Sequence, residues 1–251
     1  MSQVNEILGL AMDIGELMLK SGAEVWRVED TISRICTAYG CVHTDVFSIT
    51  SLIIATTKKD GEYASQSRRV YTYESNLKKV EDLNELSRNI CATKPSLSQV
   101  DLRIKEILSN DSIKTGRRLA AHLIVSFSFA IFFGGSIRDG FAAMLVAMLI
   151  FLLDIFLNRG RINRLAYTLV CSFMAGVMAV ALAKAGLATH IDKVIIGNVM
   201  LLIPGIALTN GIRDILCGDI VTGLLRLCES ILIAVSIAIG FAIPLIIMGG
   251  V

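Results

Sequence analysis

From Val4 to Lys20 the apolar residues Val4, Ile7, Leu8, Leu10, Ala11, Ile14, Leu17 and Met18 recur at intervals of three and four, which gathers them on one face of an α-helix. Ser21-Gly22 ends that helix. A second helix is predicted through "AEVWRVEDTISRICTAYG", with Val25, Val28, Ile32 and Ile35 along one face and Arg27, Glu29, Asp30 and Arg34 on the others. Ser21 and Glu24 have the spacing of a capping box at its start, and Gly40 stands where a helix C-terminus takes glycine. From Cys41 to Thr57 the residues become β-branched and partly alternating, as in "DVFSITSLIIATT", and Asp60-Gly61 is a hairpin turn leading to a strand near "SRRVYTY". Helical spacing returns at about 76–92 and 96–109, on either side of Pro95.

After Arg117-Arg118 the polar half of the pattern fades. Five apolar stretches follow, at about 119–137, 140–158, 165–183, 194–212 and 228–249, interrupted by Asp154 in the second and Glu229 in the last. Each approaches the roughly 20 residues with which a helix crosses a bilayer. The predicted fold is a polytopic α-helical membrane protein of five transmembrane helices with a small N-terminal α+β cytoplasmic domain. The domains are 1–116 and 117–251, joined through "SNDSIKTG".

Composition supports the membrane class: 54% of the residues are hydrophobic, 18% are charged and the mean hydropathy is +0.65. Charge changes at the same boundary, with 14 Lys/Arg against 16 Asp/Glu in residues 1–116 and 10 against 6 thereafter. That small basic excess is scattered between apolar runs, so nucleic acid is not an expected partner. It reads instead as a topology signal. Lys114, Arg117, Arg118, Arg159, Arg161, Arg164, Arg213 and Arg226 on one side, against Arg138, Lys184 and Lys193 on the other, put the N-terminal domain in the cytoplasm and the C-terminus outside. The N-terminal residues lack the cationic start of a secretory signal, which agrees. An odd number of spans would give a following five-span half the opposite topology, as in inverted-repeat transporters. The cysteines at 36, 41, 91, 171, 217 and 228 form no CxxC pair or metal-ligand spacing and read as reduced packing residues.

The fourth apolar stretch holds the chemistry. Pro204 removes a backbone donor and crowds the carbonyl at Met200, so the helix is expected to kink or unwind around Ile203-Pro204-Gly205. The freed backbone groups then require a protein cavity or water, since lipid cannot satisfy them. Asn198, Thr209 and Asn210 add hydrogen-bonding groups around the break, and Arg226 and Glu229 share a helical face at the start of the fifth stretch. These seven residues, Asn198, Pro204, Gly205, Thr209, Asn210, Arg226 and Glu229, are the candidate pathway for a small polar or anionic solute; a kink tolerated by packing and an interfacial Arg-Glu pair is the competing reading. Asp154, with Arg159 and Arg161 close by, is expected to form an interfacial ion pair, a place in the pathway being the alternative.

Two segments resemble the bacterial threonine/serine exporter family. "SGAEVWRVEDTISRICTAYG" is similar to its SGA-x-x-x-RVE signature, and "LLIPGIALTNGIRDILCGDIVTGLLRL" to its PG-x-x-x-TN-x-x-RD segment followed by GD-x-x-x-G. The matching positions are Gly22, Arg27, Glu29, Pro204, Gly205, Thr209, Asn210, Arg213, Asp214, Gly218, Asp219 and Gly223. The resemblance implies export of small polar metabolites by a subunit of a secondary-active exporter. Family members with both halves in one chain are about twice as long, so it also implies a complementary four- or five-span membrane subunit. Some split systems are associated with succinate export, and the substrate stays open between threonine/serine and a dicarboxylate. Arg27, Glu29, Arg213, Asp214 and Asp219 are candidates for a cytoplasmic gate or docking surface. No enzymatic activity, cofactor or metal is expected: His43, His122 and His190 are isolated, and neither a catalytic triad nor a phosphate loop accompanies them. The expected location is a bacterial plasma membrane, with self-association left open. The alternative is a membrane-anchored regulatory or scaffold protein whose soluble domain binds a partner.

Overall fold

The computed structural model describes residues 2–71, 74–109, 115–157 and 163–249. The N-terminal elements are α1 (Gln3–Lys20), α2 (Val25–Ala38), β1 (His43–Ile49), β2 (Leu52–Lys59), β3 (Glu62–Arg69), α3 (Leu77–Thr93) and α4 (Leu97–Ser109). The strands form an antiparallel meander in the order β1-β2-β3. The apolar face of α1 is buried as its spacing predicts, with Leu8, Ile14, Met18 and Leu19 inaccessible beside Ile32 and Ile35 of α2 and Ile53 of β2.

Two local expectations change. The β-branched run is not one strand but two, because Ile49 pairs with Leu52 across Thr50-Ser51, a turn without the Gly, Asn or Pro that would mark it. Asp60-Gly61 does turn the chain into β3, both residues having positive φ. Ser21 and Glu24 do not form a capping box. Ser21 is the C-cap of α1 and its hydroxyl donates backwards to the Leu17 carbonyl at 2.7 Å, while Glu24 occupies the N-cap of α2 without a side-chain cap bond.

The apolar half begins with α5 (Thr115–Phe132), α6 (Ile137–Leu157), α7 (Arg164–Lys184) and α8 (Ile191–Leu202). Ala130, Ala142, Ala143, Ala175 and Ala179 are buried between them, and such small residues let helix backbones approach closely. Asp139 ties two of these helices at their starts. It accepts from the Ser136 amide and hydroxyl, from the Thr189 and His190 amides at 2.6 and 2.9 Å, and pairs with His190 Nδ1 at 3.0 Å. Asp154 pairs with Arg118 of α5 and accepts from the Tyr167 hydroxyl of α7 at 2.9 Å. Its expected partners Arg159 and Arg161, like Lys114, lie outside the described residues.

The last elements are α9 (Gly205–Leu216) and α10 (Ile220–Ile247). Helix α8 stops at Leu202, Ile203 is extended, Pro204 is buried and α9 starts at Gly205, so the chain breaks where proline was expected to break it. Among the described residues α6, α7 and α10 are each long and apolar enough to cross a membrane, and the α8–α9 pair makes a fourth if it is one broken span. The apolar part of α5 is shorter than about 20 residues, because Arg117 and Arg118 occupy its start and it ends at Phe132.

The chain divides into two compact units: Met1–Ser112 with Ile206–Leu227, and Ile113–Gly205 with Cys228–Val251. The hydropathy pattern does not anticipate that Ile206–Leu227 groups with the N-terminal residues.

Candidate functional site

Helices α9 and α10 form a hairpin through Cys217–Asp219, where the Asp219 amide donates to the Asp214 carbonyl at 2.9 Å. The two helices touch at backbone level. A Cβ on Gly223 would lie 2.5 Å from the Gly211 carbonyl oxygen and 2.4 Å from Ile215 Cγ1, so glycine is required there. This close approach brings the polar residues of both helices onto one short loop.

That loop is Gly22-Ala23-Glu24, between α1 and α2, and each of its three residues meets one side chain from the hairpin. Asn210 Nδ2 donates to the Gly22 carbonyl at 3.0 Å, Arg226 Nη2 to the Ala23 carbonyl at 2.9 Å, and Arg213 pairs with the Glu24 carboxylate. Arg226 also places Nη1 3.0 Å from Asp214 Oδ2, with the Asp214 side chain fully buried and that of Arg226 nearly so. Val25 begins α2 beside Asp214, so the positive end of that helix assists Arg226 in countering the buried charge. A buried pair of this kind fixes geometry, because either partner alone would be a desolvated, uncompensated charge.

The docking candidates fall into place unequally. Arg213 and Asp214 do meet the N-terminal residues, but through Glu24 and the loop backbone. Arg27 stands 3.8 Å from Glu24, and Glu29 turns to β1, where its Oε1 accepts from the Ser48 amide at 2.6 Å and hydroxyl at 3.1 Å. Asp219 is half-buried at the hairpin turn, and its charge is felt at Glu29. Among the pathway candidates, Asn210 and Arg226 serve the loop, and Thr209 is exposed. Asn198 belongs to the other unit. It is buried, with Nδ2 donating to the Val194 carbonyl at 2.8 Å and the Ala143 carbonyl at 3.3 Å, and its Oδ1 has no hydrogen-bond partner among the described residues. Pro204, Gly205 and Glu229 lie in that unit too; Glu229 is exposed and 3.8 Å from Arg164, while the cation on its own helical face, Arg226, pairs with Asp214.

Glu24 is the residue that sequence reasoning misplaced. Its carboxylate looked committed to a cap, whereas the small residues before it leave the loop carbonyls open to donors. Of the cysteines, Cys36, Cys41 and Cys171 are buried as packing residues should be, but Cys217 and Cys228 are exposed.

Burial raises the Glu29 carboxyl above its ordinary value, Ser48 opposes the shift, and Asp219 adds to it. The folded protein therefore holds this proton to higher pH than the unfolded chain, and stability declines as pH rises from the ordinary glutamate value through the raised one. Glu29→Gln keeps an acceptor for Ser48 and is expected to flatten that decline. Thermal midpoints of both proteins between pH 4 and 8 are the check.

A family model described as threonine/serine exporter matches residues 9–248. A "Threonine/serine exporter" of Corynebacterium glutamicum is 24% identical over 251 residues, covering 95% of this chain and 50% of the relative. The chain thus spans about half the length of the curated relative that it matches. No solved structure matches it.

Proposed function

We propose that this chain, which belongs to the threonine/serine exporter family, is a subunit of a secondary-active exporter of small polar metabolites in a bacterial plasma membrane. The observation that carries this reading is the break at Ile203-Pro204 inside an otherwise apolar segment. Backbone freed at membrane depth has to face water or a protein cavity, and transporters use such discontinuous helices to hold solutes. The buried Oδ1 of Asn198, unpartnered among the described residues and one and a half turns before the break, supports a polar route there. The substrate class is an amino acid of the threonine/serine type or a dicarboxylate such as succinate.

In this reading α5 is a fifth crossing, residues 1–116 face the cytoplasm, and the chain ends outside. A second membrane protein of four or five spans is, in the same reading, the partner with which this chain works. The clasp on Gly22-Ala23-Glu24 then acts as a cytoplasmic gate, linking the segment after the break to the N-terminal residues.

The test is counterflow in proteoliposomes containing this chain with its candidate second half, using threonine, serine and succinate. Pro204→Ala, which lets α8 and α9 fuse, is expected to reduce export at least tenfold with unchanged membrane insertion. Full export by Pro204→Ala removes the broken helix from the pathway. Absence of counterflow for every substrate in the unaltered protein favours the anchored scaffold instead.

A further inference from the structure

Helices α2 and α3 line an open cleft of about 570 Å³. Its charge is lopsided: Arg27 and Arg34 from α2 and Arg88 from α3 face a single carboxylate, Asp30. Arg34 is already engaged by Asp30 at 2.8 Å. Arg88 makes no ion pair or hydrogen bond among the described residues. Trp26 lines the same cleft at 37% exposure, with the Arg27 guanidinium 5.5 Å from its ring centroid. Ser87 adds a hydroxyl from α3. Planar guanidinium groups with spare donors recognise oxyanions by paired hydrogen bonds, and an indole face accepts a short carbon skeleton.

We infer that this cleft binds a small oxyanion-bearing metabolite of amino-acid or four-carbon dicarboxylate size, held by Arg88 and Arg27 against Trp26. Such a ligand has a consequence beyond the cleft. Arg27 is also the cation 3.8 Å from Glu24 Oε2, while Glu24 Oε1 engages Arg213. A ligand that draws Arg27 into the cleft leaves Glu24 wholly to Arg213, so occupancy tightens the hold of the loop on α9. Binding itself does not depend on the export reading, whereas the use of this tightening as a control of export does.

Trp26 is the single tryptophan of the chain and reports on the cleft directly. The full chain in detergent or nanodiscs is titrated with succinate, threonine and inorganic phosphate while Trp26 emission is followed, with calorimetry as a second readout. A saturable response to at least one of them, weakened about tenfold or more in Arg88→Gln, is the expected result. A tighter response to phosphate than to either carboxylate also supports the site and assigns the oxyanion to a phosphate group. Silence with all three probes in both readouts, or an unchanged apparent Kd in Arg88→Gln, overturns the proposal. Export assays do not enter this test, so its failure is distinct from failure of the exporter reading.

Discussion

Arg226→Met is expected to destabilise the unit containing the N-terminal residues by about 3–5 kcal/mol, the usual cost of removing one member of a buried ion pair. Methionine fills much of the same volume, so the loss is mainly electrostatic. Asp214, fully buried, would lose its ion-pair partner, leaving the start of α2 and Arg213 to counter its charge, and the Ala23 carbonyl would lose its donor. Neutralising the orphan should restore most of the loss: the double variant Arg226→Met with Asp214→Asn is expected to unfold within about 1–2 kcal/mol of the unaltered protein, since a neutral amide carries a far smaller burial cost than a charge. Trp26, at the start of α2, provides the unfolding signal for this unit. Equal stability of single and double variants would mean that the Asp214 charge is compensated by something other than Arg226.

Gly223→Val should be as damaging for a different reason. The new Cβ would stand 2.5 Å from the Gly211 carbonyl oxygen and 3.0 Å from the Ile215 amide nitrogen, and both are backbone atoms that no rotamer change can move aside. Overpacking against flexible side chains typically costs about 1–3 kcal/mol, and the branched residue at a backbone contact belongs at or above the top of that range. The hairpin must open to accommodate it, which withdraws Asn210, Arg213 and Arg226 from the loop together. Adding Asn210→Ala to Gly223→Val should therefore cost almost nothing further, although Asn210→Ala alone costs about 1 kcal/mol as the loss of one hydrogen bond. Gly116→Ala, in open space at the start of α5, is the control and should leave the thermal midpoint within a degree or two. Additive losses in the double variant would show that the hairpin stays closed.

The elements were legible where one local signal dominates. Threefold and fourfold apolar spacing fixes α1 to within a residue, and the missing N–H of Pro204 fixes the break before α9. The Thr50-Ser51 turn was hidden because ordinary residues can make a turn when flanking strands pair strongly. Glu24 was hidden for a deeper reason: its partners Arg27 and Arg213 stand 3 and 189 positions away, and sequence spacing speaks only to the first. The same limit applies to Arg226, whose helical neighbour Glu229 was the visible partner while Asp214 was the actual one. Hydropathy assigns residues to solvents; it does not say which polar residues after a break return to pack on a distant loop.

Asp139 also acts as a crosslink. By accepting from Thr189 and His190 it closes a segment of 50 residues that includes α6 and α7, and closing a loop of that length restricts the conformations the chain would otherwise sample. Disulfides in secreted proteins close loops covalently and so constrain the unfolded chain as well, whereas this join forms only on folding, and the six cysteines here are free thiols. A carboxylate performs the closure without electron transfer, so the join between the starts of α6 and α8 holds equally under oxidising and reducing conditions, whichever side of a membrane it meets.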